Sequence, residues 1–363
     1  MKIIDRYVIK EFVPQFILGF IVFTFILLME KIFYLTNLIV SKGIAISKVI
    51  ELFLYISPSF CSFTFPMAFL MGTLLSLGRL QDDNEITALR AGGVPQFKII
   101  LPILIISIVT SIFLVYFNQF VVPNSQKKFT TIYYDIAYQQ PTLKFEENTF
   151  FDLKEYKFFI KKIDRKTNVL KDVIIYKTKE DYPLLITAKI GKIKLNNGNL
   201  MLVLTDGIMQ QKNQTNASKF TQIRFNEYTI NFDMKEAETQ MLDYSKSIVN
   251  LTATELIKEI KDLKSKNIDV NELKIQYYQR ISIAIACFIF VFLGSSLAIT
   301  SNKHTKSIAF GLSLILIFIF YILLAFGISL AEKKVFPVVL AVNLPNIILG
   351  IVGLFLSFKV NRK

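Results

Sequence analysis

The stretch Ile99–Val122, IILPILIISIVTSIFLVYFNQFVV, carries no charged residue, and beyond it the chain changes character completely. A bilayer core about 30 Å thick is crossed by roughly 20 helical residues, each rising about 1.5 Å. The stretch therefore reads as a membrane span. Working outward, the same criterion is met by Phe12–Leu35 and Val49–Leu77 before it, and by Ile281–Thr300, Ser307–Leu330 and Val335–Phe358 after it. The long interval between the third and fourth windows is charged, strand-patterned and contains no span. The expected fold class is thus membrane α-helical, six transmembrane helices arranged three plus three, with an inserted all-β domain. The expected divisions are 1–123 for spans one to three, 124–250 for the β domain, 251–280 for a helical connector and 281–363 for spans four to six.

Composition agrees: 53% of the 363 residues are hydrophobic, Phe alone occurs 34 times, and only 19% are charged. Lys2, Arg6 and Lys10 form a basic leader, but the apolar run that follows is too long for a secretory signal and no small-x-small cleavage site succeeds it, so a retained anchor is expected. The loop Lys and Arg residues then set orientation. Lys2, Arg6, Lys10, Arg79, Arg90, Lys98, Lys303, Lys306, Lys359, Arg362 and Lys363 fall on one side, and only Lys42, Lys48, Lys333 and Lys334 on the other. Both termini are expected in the cytoplasm and the β domain across the membrane. The net charge of +14 is largely this topology signal, and no basic stripe of the kind that binds nucleic acid occurs on a soluble element.

Cys61 and Cys287 lie inside apolar spans and behave as small hydrophobes, giving neither a disulfide framework nor metal spacing. His304, the single histidine, sits in a basic turn and reads as a solvated residue. There is no phosphate-binding GxxxxGK[ST] loop, no HExxH and no GxSxG, so no catalytic residue, metal or cofactor is expected, and energy for work must come from a partner or an ion gradient. An ion-coupled carrier is disfavoured because the span centres are nearly free of ionisable residues. Glu30, Lys31, Glu51 and the Glu332–Lys334 group all stand within snorkelling reach of an interface.

The middle region is rich in short aromatic and β-branched segments: Thr149–Ile160, Val173–Thr178, Leu184–Ile190, Lys192–Leu195, Leu200–Leu204 and Tyr228–Phe232. Turn signals fall at Asp164–Asn168, Asp181–Pro183, Asn196–Gly198 and Asp206-Gly207. A sandwich or jelly roll is expected. Pattern alone leaves open whether it buries only its own core or offers an interior or edge to a ligand or neighbouring sheet. Ala253–Asp262 and Val270–Gln279 read as a helical hairpin leading into the fourth span, with Arg280 at the boundary, wet or paired.

Between spans two and three lies LGRLQDDNEITALRAGGVP, Leu77–Pro95, in which Leu80, Ile86 and Leu89 share helical spacing. Asp82, Asp83 and Glu85 supply an acidic face, Gly92 and Gly93 a C-terminal cap, and Pro95 opens the next element. It reads either as a solvated re-entry turn or as a short helix, about 80–92, that transmits motion from an attached protein.

This pattern, with Phe65-Pro66-Met67 before it, Ile3–Phe12 (IIDRYVIKEF) at the start and Leu344-Pro345-Asn346 near the end, closely resembles the lipopolysaccharide-export permease family, LptF/LptG, also called YjgP/YjgQ. The resemblance covers the whole chain. It implies a bacterial inner-membrane ABC-transporter permease subunit with a periplasmic β-jellyroll domain. The expected partners are a dimeric cytoplasmic ATPase, which binds the ATP, a paralogous or identical permease subunit, and a periplasmic jellyroll bridge protein anchored by a single span. Lipopolysaccharide would enter between the subunits from the outer leaflet and pass to the bridge. Glu85 falls at the family's coupling-helix acid, with Asp82, Asp83 and Arg90 as neighbours. Lys31 matches the family's basic residues at the outer end of span one, and Lys42 matches more loosely; Phe23, Phe33 and Tyr34 complete the expected ligand surface. Snorkelling beside Glu30 remains an equal reading of Lys31. The alternatives are a non-transporting scaffold for envelope lipid assembly and an ion-coupled lipid carrier.

Overall fold

A computed structural model describes residues 3–40, 44–139, 147–153, 156–164, 167, 169–177, 184–196, 199–212, 220–232, 248–300 and 306–361. Lys42 and His304 lie outside them.

The apolar windows form helices because a backbone surrounded by hydrocarbon must satisfy its own hydrogen bonds. The first half holds α1 (Ile3–Val40), α2 (Ile46–Asp82), α3 (Glu85–Ala91) and α4 (Gln96–Tyr116), which continues through a π-helical turn, Phe117–Val121, into α5 (Val122–Gln139). After the strands come α6 (Ala253–Ser265), α7 (Asn271–Thr300), α8 (Lys306–Glu332), α9 (Val338–Val342) and α10 (Leu344–Asn361). Among the described residues, five stretches are long and apolar enough to cross a membrane: Ile3–Val40, Ile46–Asp82, Gln96–Tyr134, Asn271–Ile299 and Ile308–Glu332.

The sixth expected window is divided. It breaks at Asn343 into α9 and the shorter apolar run Leu344–Lys359. Pro345 has no N–H to bond back to Ala341, which removes one rung at the break. The Ala341 carbonyl instead lies so close to the Gly327 backbone of α8 that any side chain at 327 would overlap it. The third helix also exceeds expectation, running to Gln139 rather than ending near 123.

Within the helices α7 is the hub, packing against α4, α8, α9 and α10. Ala284, Ala286, Ser295, Ser296 and Ala298 on it are all buried, and small residues of this kind let neighbouring backbones approach closely. A Cβ on Gly294 would touch Leu70 and Thr73 of α2, and one on Gly353 of α10 would meet Phe292 at 2.9 Å. Arg280, expected wet or paired, is buried and paired with backbone: its guanidinium donates to the carbonyls of Leu251 (2.7 Å) and Val249 (2.9 Å). Asn346 of the Leu-Pro-Asn motif is likewise structural, its amide donating to the Ser282 carbonyl and hydroxyl at 2.9 Å and tying α10 to α7.

Six strands form one antiparallel sheet: β1 (Phe150–Leu153), β2 (Tyr156–Asp164), β3 (Val169–Lys177), β4 (Leu184–Asn196), β5 (Asn199–Lys212) and β6 (Phe220–Phe232). Every strand neighbours the next in sequence, so the described strands make a meander, without the crossover connections of a jelly roll. Thr149–Ile160, read as one segment, is a hairpin with Phe151 opposite Phe158. The two segments within 184–195 are one strand.

Asp206-Gly207 is no turn but the middle of β5. There the sheet carries a transverse crease. In β2 to β6 the in–out alternation slips at one aligned row, leaving two successive outward residues in each strand: 161 and 162, 171 and 172, 189 and 190, 205 and 206, 226 and 227. Ile160 pairs with Val173, Val173 with Ala188, Ala188 with Gly207 and Gly207 with Phe225, so Lys161, Asp172, Lys189, Asp206 and Asn226 lie in line between the rungs. Because all five strands slip together, register survives and the apolar face stays inward. Asp172 and Asp206 take left-handed φ of 52° and 53°, a conformation Asp tolerates better than most residues. Their carboxylates face Lys161 (3.6 Å) and Lys189 (2.6 Å) along the row. The core on the other face is Phe158, Ile160, Leu170, Val173, Ile175, Ile186, Leu202 and Leu204.

The chain separates into two compact units, Met1–Phe33 with Phe53–Lys128 and Ser247–Lys363, and Tyr34–Leu52 with Phe129–Lys246.

Candidate functional site: the α2–α3 turn and the open face of α1

Acid-rich Gln81–Glu85 closes α2 and opens α3. Asn84 takes a left-handed φ of 59°, which turns the chain sharply between the two helices. Ile86 is fully buried with Leu77 and Leu80, so an apolar anchor holds α3 against the bundle and leaves the acids outside. Asp82 and Asp83 are exposed, and Asp83 accepts Arg79 Nε at 3.4 Å. Glu85 opens α3 and Arg90 lies in its last turn; both are half-buried. Two residues that the sequence reading did not single out join them from α1. Tyr7 donates its hydroxyl to Glu85 Oε2 at 2.7 Å, and Glu11 accepts Arg79 Nη1 at 2.6 Å. Both lie in the Ile3–Phe12 stretch that carries part of the family resemblance, and their i, i+4 spacing puts them on one helix face.

Above this turn α1 crosses α2 closely. A Cβ on Gly72 would lie 3.0 Å from Phe16 Cα, and one on Gly19 would lie 3.4 Å from Ala68 Cα. Phe69 packs its ring, tilted, against Phe12 and Phe16 with centroids 5.6 and 4.8 Å apart. The other side of α1 is uncovered: Ile17, Ile21, Phe25, Met29 and Phe33 are exposed at helical spacing, Phe25 to 62% and Phe33 to 65%. Of the expected ligand residues, Phe33 belongs to this face, whereas Phe23 is only 3% exposed and packs into the core. Lys31 donates to Glu30 at 2.8 Å, an exposed pair that contributes little stability. Tyr34, in the second compact unit, is exposed and hydrogen-bonds Tyr133.

At the opposite end of the bundle Lys127 donates to both oxygens of Glu255, each at 2.7 Å, and Glu255 also accepts the Thr252 N–H that begins α6. The Lys127 ammonium is the main reason the Glu255 carboxyl is held down at about 2, with the Thr252 bonds adding to it. Lys128 lies 5.3 Å over the Tyr55 ring. Among the described residues no group of three or more His, Cys, Asp and Glu side chains could hold a metal ion.

Long apolar helices with an uncovered face, a polar turn between two of them and an antiparallel sheet inserted between them in the sequence define a multi-pass membrane protein with a large non-membrane insertion. Within that class the chain belongs to the lipopolysaccharide export system permease family, LptF/LptG, whose family model matches residues 6–359. By that family it is a component of a transport system. None of the curated protein sequences compared matches it.

Proposed function

We propose that this chain is a permease subunit of an ABC exporter that extracts lipopolysaccharide from the outer leaflet of the inner membrane. The observation that carries the reading is the open face of α1. A helix this apolar and this uncovered needs lipid, ligand or a second subunit against it. A paralogous or identical permease subunit would complete a cavity whose wall includes Ile21, Phe25 and Phe33, with Lys31 meeting ligand phosphates at the rim. Phe23 would support that wall from within, and Tyr34 would stand at its end. ATP would be bound and hydrolysed by a cytoplasmic ATPase dimer docked at the α2–α3 turn through Glu85, Asp82, Asp83 and Arg90. Both termini would be cytoplasmic. The creased sheet would be periplasmic and would hand the lipid to a bridge protein.

A photo-crosslinker at Phe25 or Phe33 is expected to capture lipopolysaccharide in native membranes, and one at Phe23 is not. Equal capture at all three positions, or capture of bulk phospholipid alone, would remove the ligand assignment. In the same membranes the chain should copurify with its ATPase and Glu85→Lys should lose it. Full retention by that variant would move the docking site elsewhere.

A further inference from the structure

α1 meets the α2–α3 turn through two polar links of opposite sense, one turn apart on one helix face. The Tyr7 hydroxyl donates a hydrogen bond to Glu85, the first residue of α3, at 2.7 Å, and Glu11 accepts one from Arg79, in the last turn of α2, at 2.6 Å. The links therefore grip both sides of the turn centred on Asn84. The Glu11–Arg79 pair is better shielded than an ordinary surface pair, the Glu11 side chain being only 15% exposed. Beneath the links Val8 and Phe12 belong to the same buried cluster as Leu77, Leu80 and Ile86. Farther along, the same helix carries the open apolar face. One continuous helix, Ile3–Val40, thus has one end fixed to the acidic turn and a later stretch uncovered.

We infer that Tyr7 and Glu11 are positioning residues that make α1 move with α3, so that a displacement imposed at the turn reaches the apolar face without passing through the rest of the bundle. This rests on the assignment of the turn as the ATPase-docking element. Apolar packing alone would hold α1 near α3, but it is non-directional and tolerates rotation. Two charge-assisted hydrogen bonds in fixed positions set the rotation of the helix, and hence the direction its open face points.

The test uses the complete permease–ATPase complex in liposomes containing lipopolysaccharide, with ATP hydrolysis and lipopolysaccharide release measured together. Tyr7→Phe keeps the ring and removes only the hydroxyl. It should leave ATPase copurification and thermal stability near wild type while lowering lipid released per ATP roughly 2- to 10-fold, the range for one lost hydrogen bond. Glu11→Arg should do the same, and combining it with Arg79→Glu should restore coupling because the pair is remade with its charges exchanged. A wild-type release-to-hydrolysis ratio in Tyr7→Phe, or no recovery in the exchanged pair, would overturn the inference. A wild-type chain that binds no ATPase would instead overturn the docking assignment, and this inference with it. Loss of coupling only in parallel with loss of stability would assign both residues to folding.

Discussion

α1 and α2 are nearly equal in length, 38 and 37 residues, and lie side by side in sequence, yet they meet opposite surroundings. In the most apolar window of α2, 78% of residues are buried within the chain, against 17% for α1, although α1 is the more apolar of the two. In water that order would be reversed, because the more apolar helix would take the core. In a bilayer apolarity no longer drives burial, since lipid tails are as apolar as leucine. What distinguishes α2 is small and polar residues: Thr64, Thr73 and Ser76 are buried on it and donate to carbonyls of their own helix, leaving little bulk between helices, while Gly72 admits α1. α1 offers mostly large apolar side chains to whatever lies outside.

Three substitutions test this contrast. Phe69→Ala in α2 removes a ring packed between Phe12 and Phe16 and should cost about 3–5 kcal/mol, seen as a lower midpoint of thermal unfolding in detergent. Gly72→Leu should cost about 1–3 kcal/mol, because the new side chain meets the α1 backbone at Phe16, which cannot give way locally. Phe25→Ala, an equal truncation on the open face of α1, should change the stability of the isolated chain by no more than about 0.5 kcal/mol. A large loss there would mean that the chain covers this face itself, and the contrast between the helices would collapse.

Much of the fold was legible in the sequence. The first five spans, the buried cysteine Cys287, the short helix after Asp82 and the strand-rich middle follow from hydrophobic period and length. The division of the last window at Asn343 was not, because hydropathy averages across a break that depends on the close approach of Ala341 to Gly327. The crease was misread as a turn for a related reason. Asp-Gly has the same local preference for positive φ whether the chain reverses or continues, and only the neighbouring strands, slipping at the same row, carry the strand on through it.

At the site, Glu85 stood out as the acid of its motif, whereas Tyr7 and Glu11, within the Ile3–Phe12 motif, carried no sign of their role, since their partners are 78 and 68 residues away. By itself the sequence determined what each segment is suited to: which runs can cross a bilayer, which alternate as strands, and which turn is acidic. Only the tertiary structure decided which face of each helix is covered, which way the aspartates of the sheet point, and that the start of α1 holds the acidic turn. Membrane suitability is a sum over neighbouring residues and is therefore written locally. The rest depends on contacts between distant residues, made wherever a missing side chain, a glycine or a well-placed hydroxyl allows two backbones to meet.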